Sequence, residues 1–484
     1  MQARLPPWLP APVVIHAAVL TLILSAVSLV KGLGDPDYYW HVTAGKLIAE
    51  SGVPDTDPFS FTWQGQPWTP HEWLSELLMH LAVSGIGPTP TLLLFGALAG
   101  IAIGIIAGSL SRRGLRTVAV VLPATIAALV FLPYVTARPQ AISWLLLASE
   151  LVVLMSLRAD RPMRTLLLIP LFIAWANLHG LYVIGLGVVG AYLLFTLLGM
   201  TPMSPARGWM LGATTGSGLA SMATPAGPVG LLYPFRYVDD SDWGLANIQE
   251  WQSPDFHDPA HLAFLGLIVA VAVAGRSGPG WLRFLSYVGI VMGLVALRNA
   301  PLAALLAMPT LAHTLDMYLS RRPSARERPR AVAMGRRIME LSVGVVVAVG
   351  AWVVLVPADP EAASIDVATE AFPVKSVEQL AASDPDARVV AEYGWAGYVI
   401  SQLYPTGGRV FVDGRNDMYP EAILEDYSTI RGAAPGWEEI LEGYDGANWL
   451  LFPPDTAIAQ GAATDAGWCE AFRDEKQVLL ERCP

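Results

Sequence analysis

The segment Gly32–Leu77, GLGDPDYYWHVTAGKLIAESGVPDTDPFSFTWQGQPWTPHEWLSEL, gathers the residue types that move protons or hold cations. Asp35 and Asp37 stand two residues apart, and His41 follows Asp37 by one helical turn. Two carboxylates and an imidazole at that spacing suit a divalent cation, or a base that takes a proton from a hydroxyl. An Asp before a Pro is equally a helix N-cap signature, although a cap needs only one of two acids. His71 and Glu72 form a second polar pair, a candidate substrate-binding pair or simply the solvated face of a helix. They do not make a zinc-protease motif, because Ser75 stands where the second histidine is needed.

Composition decides what surrounds these residues. The 484-residue chain is 54% hydrophobic and only 15% charged, far below the roughly 25% charged residues of soluble domains. Residues 11–30 form an apolar run long enough to cross about 30 Å of hydrocarbon and longer than a signal peptide's apolar region. Further runs cover 89–110, 116–134, 139–157, 165–178, 180–199, 209–224, 260–275, 282–297, 300–319 and 340–356. The expectation is an α-helical polytopic membrane protein with about eleven spans. With the N-terminus inside, every strongly basic connection falls on the cytosolic side, from Arg112, Arg113 and Arg116 to the stretch between Arg321 and Arg337. Residues 1–356 then form the transmembrane module, and 357–484 an extracytoplasmic domain. A net charge of −11 argues against a nucleic-acid partner. Richness in Ala, Arg, Gly and Pro with only four lysines suggests a GC-rich bacterial genome, and with the polytopic, N-terminus-in reading the expected location is the bacterial cytoplasmic membrane.

The first outer loop, 32–88, must position the acids. Asp35 as N-cap, Pro36 at the first helical position and Gly52 as terminator predict one helix. A second, amphipathic helix is expected from near Pro70, with a turn-rich connection between the two. Tyr38, Tyr39, Trp40, Trp63, Trp68 and Trp73 suit the headgroup layer, so both helices are expected on the outer membrane surface.

The tail reads as a small α/β domain. ARVVAEY, GRVFVDGR and NWLLF are strand-like, while GWAGYVISQLYP, PEAILEDYSTIRG and WEEILEGY are helix-like. CEAFRDEKQVLLERC reads as a hairpin, and a disulfide between Cys469 and Cys483 is permitted on the oxidising side. In a hairpin centred on Asp474 to Lys476 those cysteines would be staggered rather than opposite. Asp413, Arg415, Asn416 and Asp417 follow a strand, where binding loops of α/β units lie, although a charged turn is the plainer account.

A first span, an outer acidic motif, two interfacial helices, many further spans and an outer C-terminal domain together resemble the GT-C membrane glycosyltransferases. DPDYYWHVTAG is similar to the acid-plus-aromatic motif of bacterial members akin to the protein mannosyltransferase and Rgt-like group. Many relatives carry Asp-Glu side by side, whereas here Pro36 separates Asp35 from Asp37. The resemblance implies a catalytic Asp at Asp35 with Asp37 in support, and a cavity open to the outer leaflet. It also implies a sugar donor on polyprenyl phosphate and an acceptor hydroxyl on a glycan, lipid or protein. A divalent cation at the acid pair would be compatible with that chemistry.

Charge developing on a leaving lipid phosphate calls for cations. Arg138, Arg236 and Arg298 break the positive-inside pattern at outer ends of spans, which makes them candidates for phosphate; helix anchoring is the alternative. The connection 225–259 is expected to be a long loop of the kind that closes over substrate, with Tyr233, Glu250 and Trp251 as candidates. His179, at an outer turn, is a further one. The rival classes are a transporter and a noncatalytic envelope scaffold. Transporters keep ionisable groups near the midplane, and here Glu150 and His16 are the main ionisable residues within spans.

Overall fold

The computed structural model describes residues 12–201, 204–239, 242–274, 277–321, 370–444, 446–463 and 467–483. In chain order its helices are α1 (Pro12–Lys31), α2 (Pro36–Ser51), α3 (Trp73–Ile86), α4 (Pro88–Arg112), α5 (Thr117–Phe131), α6 (Gln140–Ser156), α7 (Leu168–Leu178) and α8 (Tyr182–Leu197). There follow α9 (Arg207–Ala220), α10 (Gly227–Asp239), α11 (Asp242–Asn247), α12 (Leu262–Ala274), α13 (Gly280–Val295) and α14 (Ala300–Ser320). The tail adds α15 (Val374–Ser383), β1 (Arg388–Ala391), α16 (Ala396–Leu403), β2 (Arg409–Val410), α17 (Glu421–Arg431) and α18 (Trp437–Gly443). It ends with β3 (Trp449–Phe452), α19 (Ala457–Ala462), β4 (Trp468–Arg473) and β5 (Val478–Arg482).

Ten of the apolar runs fold as helices; the one at 340–356 lies outside the described residues. Four segments among the described residues are long and apolar enough to cross a membrane: Pro12–Lys31, Pro88–Arg112, Thr117–Tyr134 and Leu297–Ser320. The chain divides into two compact units. One comprises Met1–Val30, Pro90–Leu231 and Ile248–Ala358, the other Lys31–Thr89, Leu232–Asn247 and Asp359–Pro484.

The first unit is helical, and α14 is its most buried element, with every residue from Ala300 to Ala312 enclosed. The two ionisable residues noted within its spans are both buried. His16 on α1 shares a hydrogen bond of 3.0 Å with Thr125 of α5, and Glu150 is enclosed on α6. The connection at 225–259 is not the expected open loop, for it carries α10 and α11. Pro228, at the second helical position of α10, gives up an N–H that would have had no intrahelical partner.

The second unit is built on a five-stranded sheet of order β2-β1-β3-β5-β4. β2, β1 and β3 run parallel, and β5 and β4 complete the sheet as an antiparallel hairpin. Val389, Val390, Leu450, Leu451 and Leu479 from the three central strands are buried to 1% exposure or less. The segment between α1 and α4 contributes to this sheet. Ser60 bridges Val410 in parallel, Phe61 N–H donates to the Val410 carbonyl (3.0 Å), and Val410 N–H donates to that of Phe59 (3.1 Å). The β2 edge, which would otherwise present unpaired backbone groups, is thereby paired.

The hairpin carries the Cys469–Cys483 disulfide, with Cα atoms 5.2 Å apart. An irregularity between Glu470 and Phe472 shifts the register, so that Cys469 faces Glu481 and Cys483 N–H bonds to the Gly467 carbonyl. The cysteines are offset along the ladder, as the hairpin centre implied, and the altered register brings them within bonding reach.

Candidate functional site

The start of α2 follows from its sequence. Asp35 is the N-cap, its carboxylate accepting from Asp37 N–H at 2.9 Å; Pro36 opens the helix, and Gly52 with φ 84° closes it. Asp35 is 7% exposed. Asp37 Oδ1 accepts from Trp40 Nε1 at 3.0 Å and lies against the backbone of Gly414, where a β-carbon would stand 2.3 Å from that oxygen. The acid pair is thus partly occupied in holding its own helix, yet Asp37 also meets the tail.

Helix α3 begins at Trp73, three residues beyond Pro70, because Pro70 to Trp73 close a turn (Trp73 N–H to Pro70 carbonyl, 3.3 Å) before helical bonding starts at Glu72. α2 and α3 pack closely at Gly45, where a β-carbon would stand 2.0 Å from the Glu76 carbonyl. That approach unites His41 of α2 with Glu72 and Glu76 of α3. His41 Nε2 is 3.8 Å from Glu72 and His41 Nδ1 is 3.5 Å from Glu76. His71 lies 3.5 Å from Glu72 and 3.9 Å from Asp417. Tyr233 donates its hydroxyl to Asp417 and sets its ring 5.2 Å from that of His71.

Charge and burial oppose one another in this cluster. Burial would lower the His71 pKa, but the Glu72 hydrogen bond and the charges of Glu72, Asp417 and Glu76 outweigh it and raise it to about 9. The surrounding carboxylates thus favour the protonated imidazole of His71. Glu76 is 1% exposed, and burial pushes its carboxyl above the usual range despite the nearby histidines.

A second group occupies the helical unit. Arg138 Nη1 donates to Glu250 Oε1 at 2.9 Å, and the Arg298 guanidinium lies 5.3 Å from the centre of the Trp251 ring. Burial pushes Glu250 up, but Arg138 and Arg298 more than offset it and hold the carboxyl below its usual value. His179 is elsewhere engaged, capping the end of α7 and accepting from Leu181 N–H at 3.1 Å. Arg236 lies on α10, with its side chain outside the described residues.

The strand-end residues divide. Asp413 and Arg415 are buried rather than part of a solvated turn. Arg415 joins Asp413 (2.6 Å) to Asp57 of the connection between α2 and α3 (2.7 Å), its guanidinium 4.7 Å from the Phe59 ring centre and 4.5 Å from that of Trp68. This group is structural, whereas Asp417 joins the His71 cluster. Sequence reading missed Glu76 and Asp57. Glu76 had a signal, since four residues after Glu72 is the same helical face; Asp57 had none.

No sequence-family model matches the chain, and no curated protein does. Solved structures do. ArnT from Cupriavidus metallidurans, bound to undecaprenyl phosphate, matches with a TM-score of 0.53 at 12% identity, over 96% of this chain and 97% of its own. The oligosaccharyltransferase AglB from Archaeoglobus fulgidus, in complex with an inhibitory peptide and a dolichol-phosphate, matches at 0.52 and 12% identity, over 91% of this chain and 69% of its own. The arabinofuranosyltransferase AftD from Mycobacteria matches at 0.52 and 16% identity, over 97% of this chain and 41% of its own. All three belong to the GT-C superfamily.

The chain has a GT-C-like fold.

Because the ArnT match spans 96% of the sequence, the GT-C-like resemblance takes in the tail as well as the helices. At 12–16% identity it establishes architecture and leaves the chemistry to the residues themselves.

Proposed function

We propose that the protein is a membrane glycosyltransferase that moves a sugar from a polyprenyl-phosphate donor to an acceptor hydroxyl on the extracytoplasmic side. The observation that carries this reading is the shared fold with ArnT bound to undecaprenyl phosphate, and the dolichol-phosphate in the AglB structure adds to it. A lipid-tethered donor also suits chemistry outside the cell, because anionic nucleotide sugars are made in the cytosol. The Cys469–Cys483 disulfide supports placing the tail in an oxidising compartment.

In this reading Asp35 is the base and Asp37 supports it. The acceptor oxygen bonds to the anomeric carbon as its proton passes to Asp35, and the bond from that carbon to the phosphate oxygen breaks. The electron pair leaves on the lipid phosphate. Arg138 and Arg298 are the proposed phosphate partners. Their present companions, Glu250 and the Trp251 ring, hold the guanidinium groups in defined positions and would yield part of those contacts to a phosphate. The acceptor is a glycan, lipid or protein hydroxyl.

The test is transfer from radiolabelled polyprenyl-phosphate sugars to envelope acceptors in proteoliposomes. Glycosidic product from the wild type and none from Asp35→Asn is the expected result. Label crossing the bilayer without product would mean a transporter, and undiminished transfer by Asp35→Asn would remove the base assignment.

A further inference from the structure

The buried cluster between α2 and α3 is separate in kind from the acid pair at the start of α2. His41 and Glu76 are 3% and 1% exposed, and Glu72 is also largely enclosed, its side chain 13% exposed. Each of the three offers one ligand atom, and these atoms lie within 4.8 Å of one another. A plain hydrogen-bonded cluster is a poor description. The His41 Nε2–Glu72 separation of 3.8 Å exceeds hydrogen-bond length, and His41 Nδ1 stands 3.5 Å from Glu76, at the outer limit of one. His41 Nδ1 and Glu76 Oε2 are buried without a hydrogen-bond partner. Leaving such atoms unsatisfied is costly, and an ion between them would remove that cost.

The spacing fits one. Metal–ligand bonds of about 2.0–2.1 Å in a tetrahedron put ligand atoms about 3.3 Å apart, a distance these side chains reach by shifts of about 1 Å. We infer that His41, Glu72 and Glu76 bind one divalent first-row transition ion, with Zn2+ the best match. A nitrogen with two carboxylate oxygens is borderline in softness, so it favours Zn2+ or Mn2+ over the oxygen-seeking Ca2+ and Mg2+. Three protein ligands leave a coordination position open. His71 stands behind Glu72, with Asp417 and Tyr233 behind it in turn, which is the outer layer that orients metal ligands. The sequence alone had placed a possible cation at Asp35 and Asp37; of the buried set only His41 lies on that helix, and Glu72 and Glu76 come from the start of α3.

Metal binding is measured without donor or acceptor, so this inference stands or falls apart from glycosyl transfer. The full-length protein in detergent, stripped with chelator, is titrated calorimetrically with Zn2+, Mn2+ and Ca2+. The expected result is one Zn2+ per chain, weaker Mn2+ and no Ca2+. Zn2+ should raise the unfolding temperature of the wild type and of Asp35→Asn but not that of Glu76→Gln or Glu72→Gln. His71→Gln should weaken binding about 10- to 100-fold. The Gln variants are checked in chelator, where unfolding at or above the wild-type temperature shows that they are folded; should one not fold, the His71→Gln affinity decides. Absent Zn2+ binding, equal binding by Glu76→Gln, or loss in Asp35→Asn alone overturns the assignment.

Discussion

The α-carbon of Gly45 lies directly against the main-chain carbonyl of Glu76, so a β-carbon there would stand 2.0 Å from that oxygen. The contact fixes the separation of α2 and α3, and with it the distance between His41 and Glu76. Gly45→Ala gains about 1 kcal/mol of helix propensity but overpacks against backbone, which costs about 1–3 kcal/mol and cannot be relieved by a rotamer change. The net expectation is a lower unfolding temperature together with weakened Zn2+ binding. An unfolding temperature equal to or above wild type would show that the helices part at no cost.

Asp35 has two separable roles, cap and base. Asparagine caps a helix about as well as aspartate, whereas alanine loses about 1 kcal/mol. Asp35→Asn should therefore keep wild-type thermal stability and lose transfer, while Asp35→Ala loses both. Retained transfer in Asp35→Asn alongside destabilised Asp35→Ala would reduce Asp35 to a cap.

Arg415 neutralises two buried carboxylates drawn from opposite ends of the chain, and those carboxylates hold its own pKa far above the usual range against the effect of burial. Arg415→Ala leaves Asp57 and Asp413 enclosed without a cation, at a cost of about 3–5 kcal/mol. Replacing the whole set, by Arg415→Met together with Asp57→Asn and Asp413→Asn, should cost less than the single change. Thermal unfolding of the four proteins, wild type and Asp57→Asn/Asp413→Asn included, checks this ordering; a triple variant weaker than Arg415→Ala would contradict it.

The Arg138–Glu250 pair makes a pH-dependent contribution. The folded pKa of Glu250 lies below its ordinary 4.5, so the contribution is complete above pH 4.5 and is lost as the pH falls through the lowered value. Glu250 is about one-third exposed, its side chain at 34%, which limits the pair to about 0.2–1 kcal/mol. The stability gap between wild type and Glu250→Gln should hold at neutral pH and close in acid. A gap that widens in acid would mean that another group carries the effect.

The sequence by itself determined the local elements. Apolar runs of helical length became helices, and Asp35, Pro36 and Gly52 set the bounds of α2, because caps and periodicity act within a few residues. NWLLF and the Cys469–Cys483 hairpin were readable for the same reason. Tertiary structure alone decided that the connection between α2 and α3 pairs with β2, that Asp57 meets Arg415 across 358 positions, and that Glu76 turns toward His41. Side chains from distant segments meet where packing and burial bring their elements together, and no local spacing in the chain records that choice.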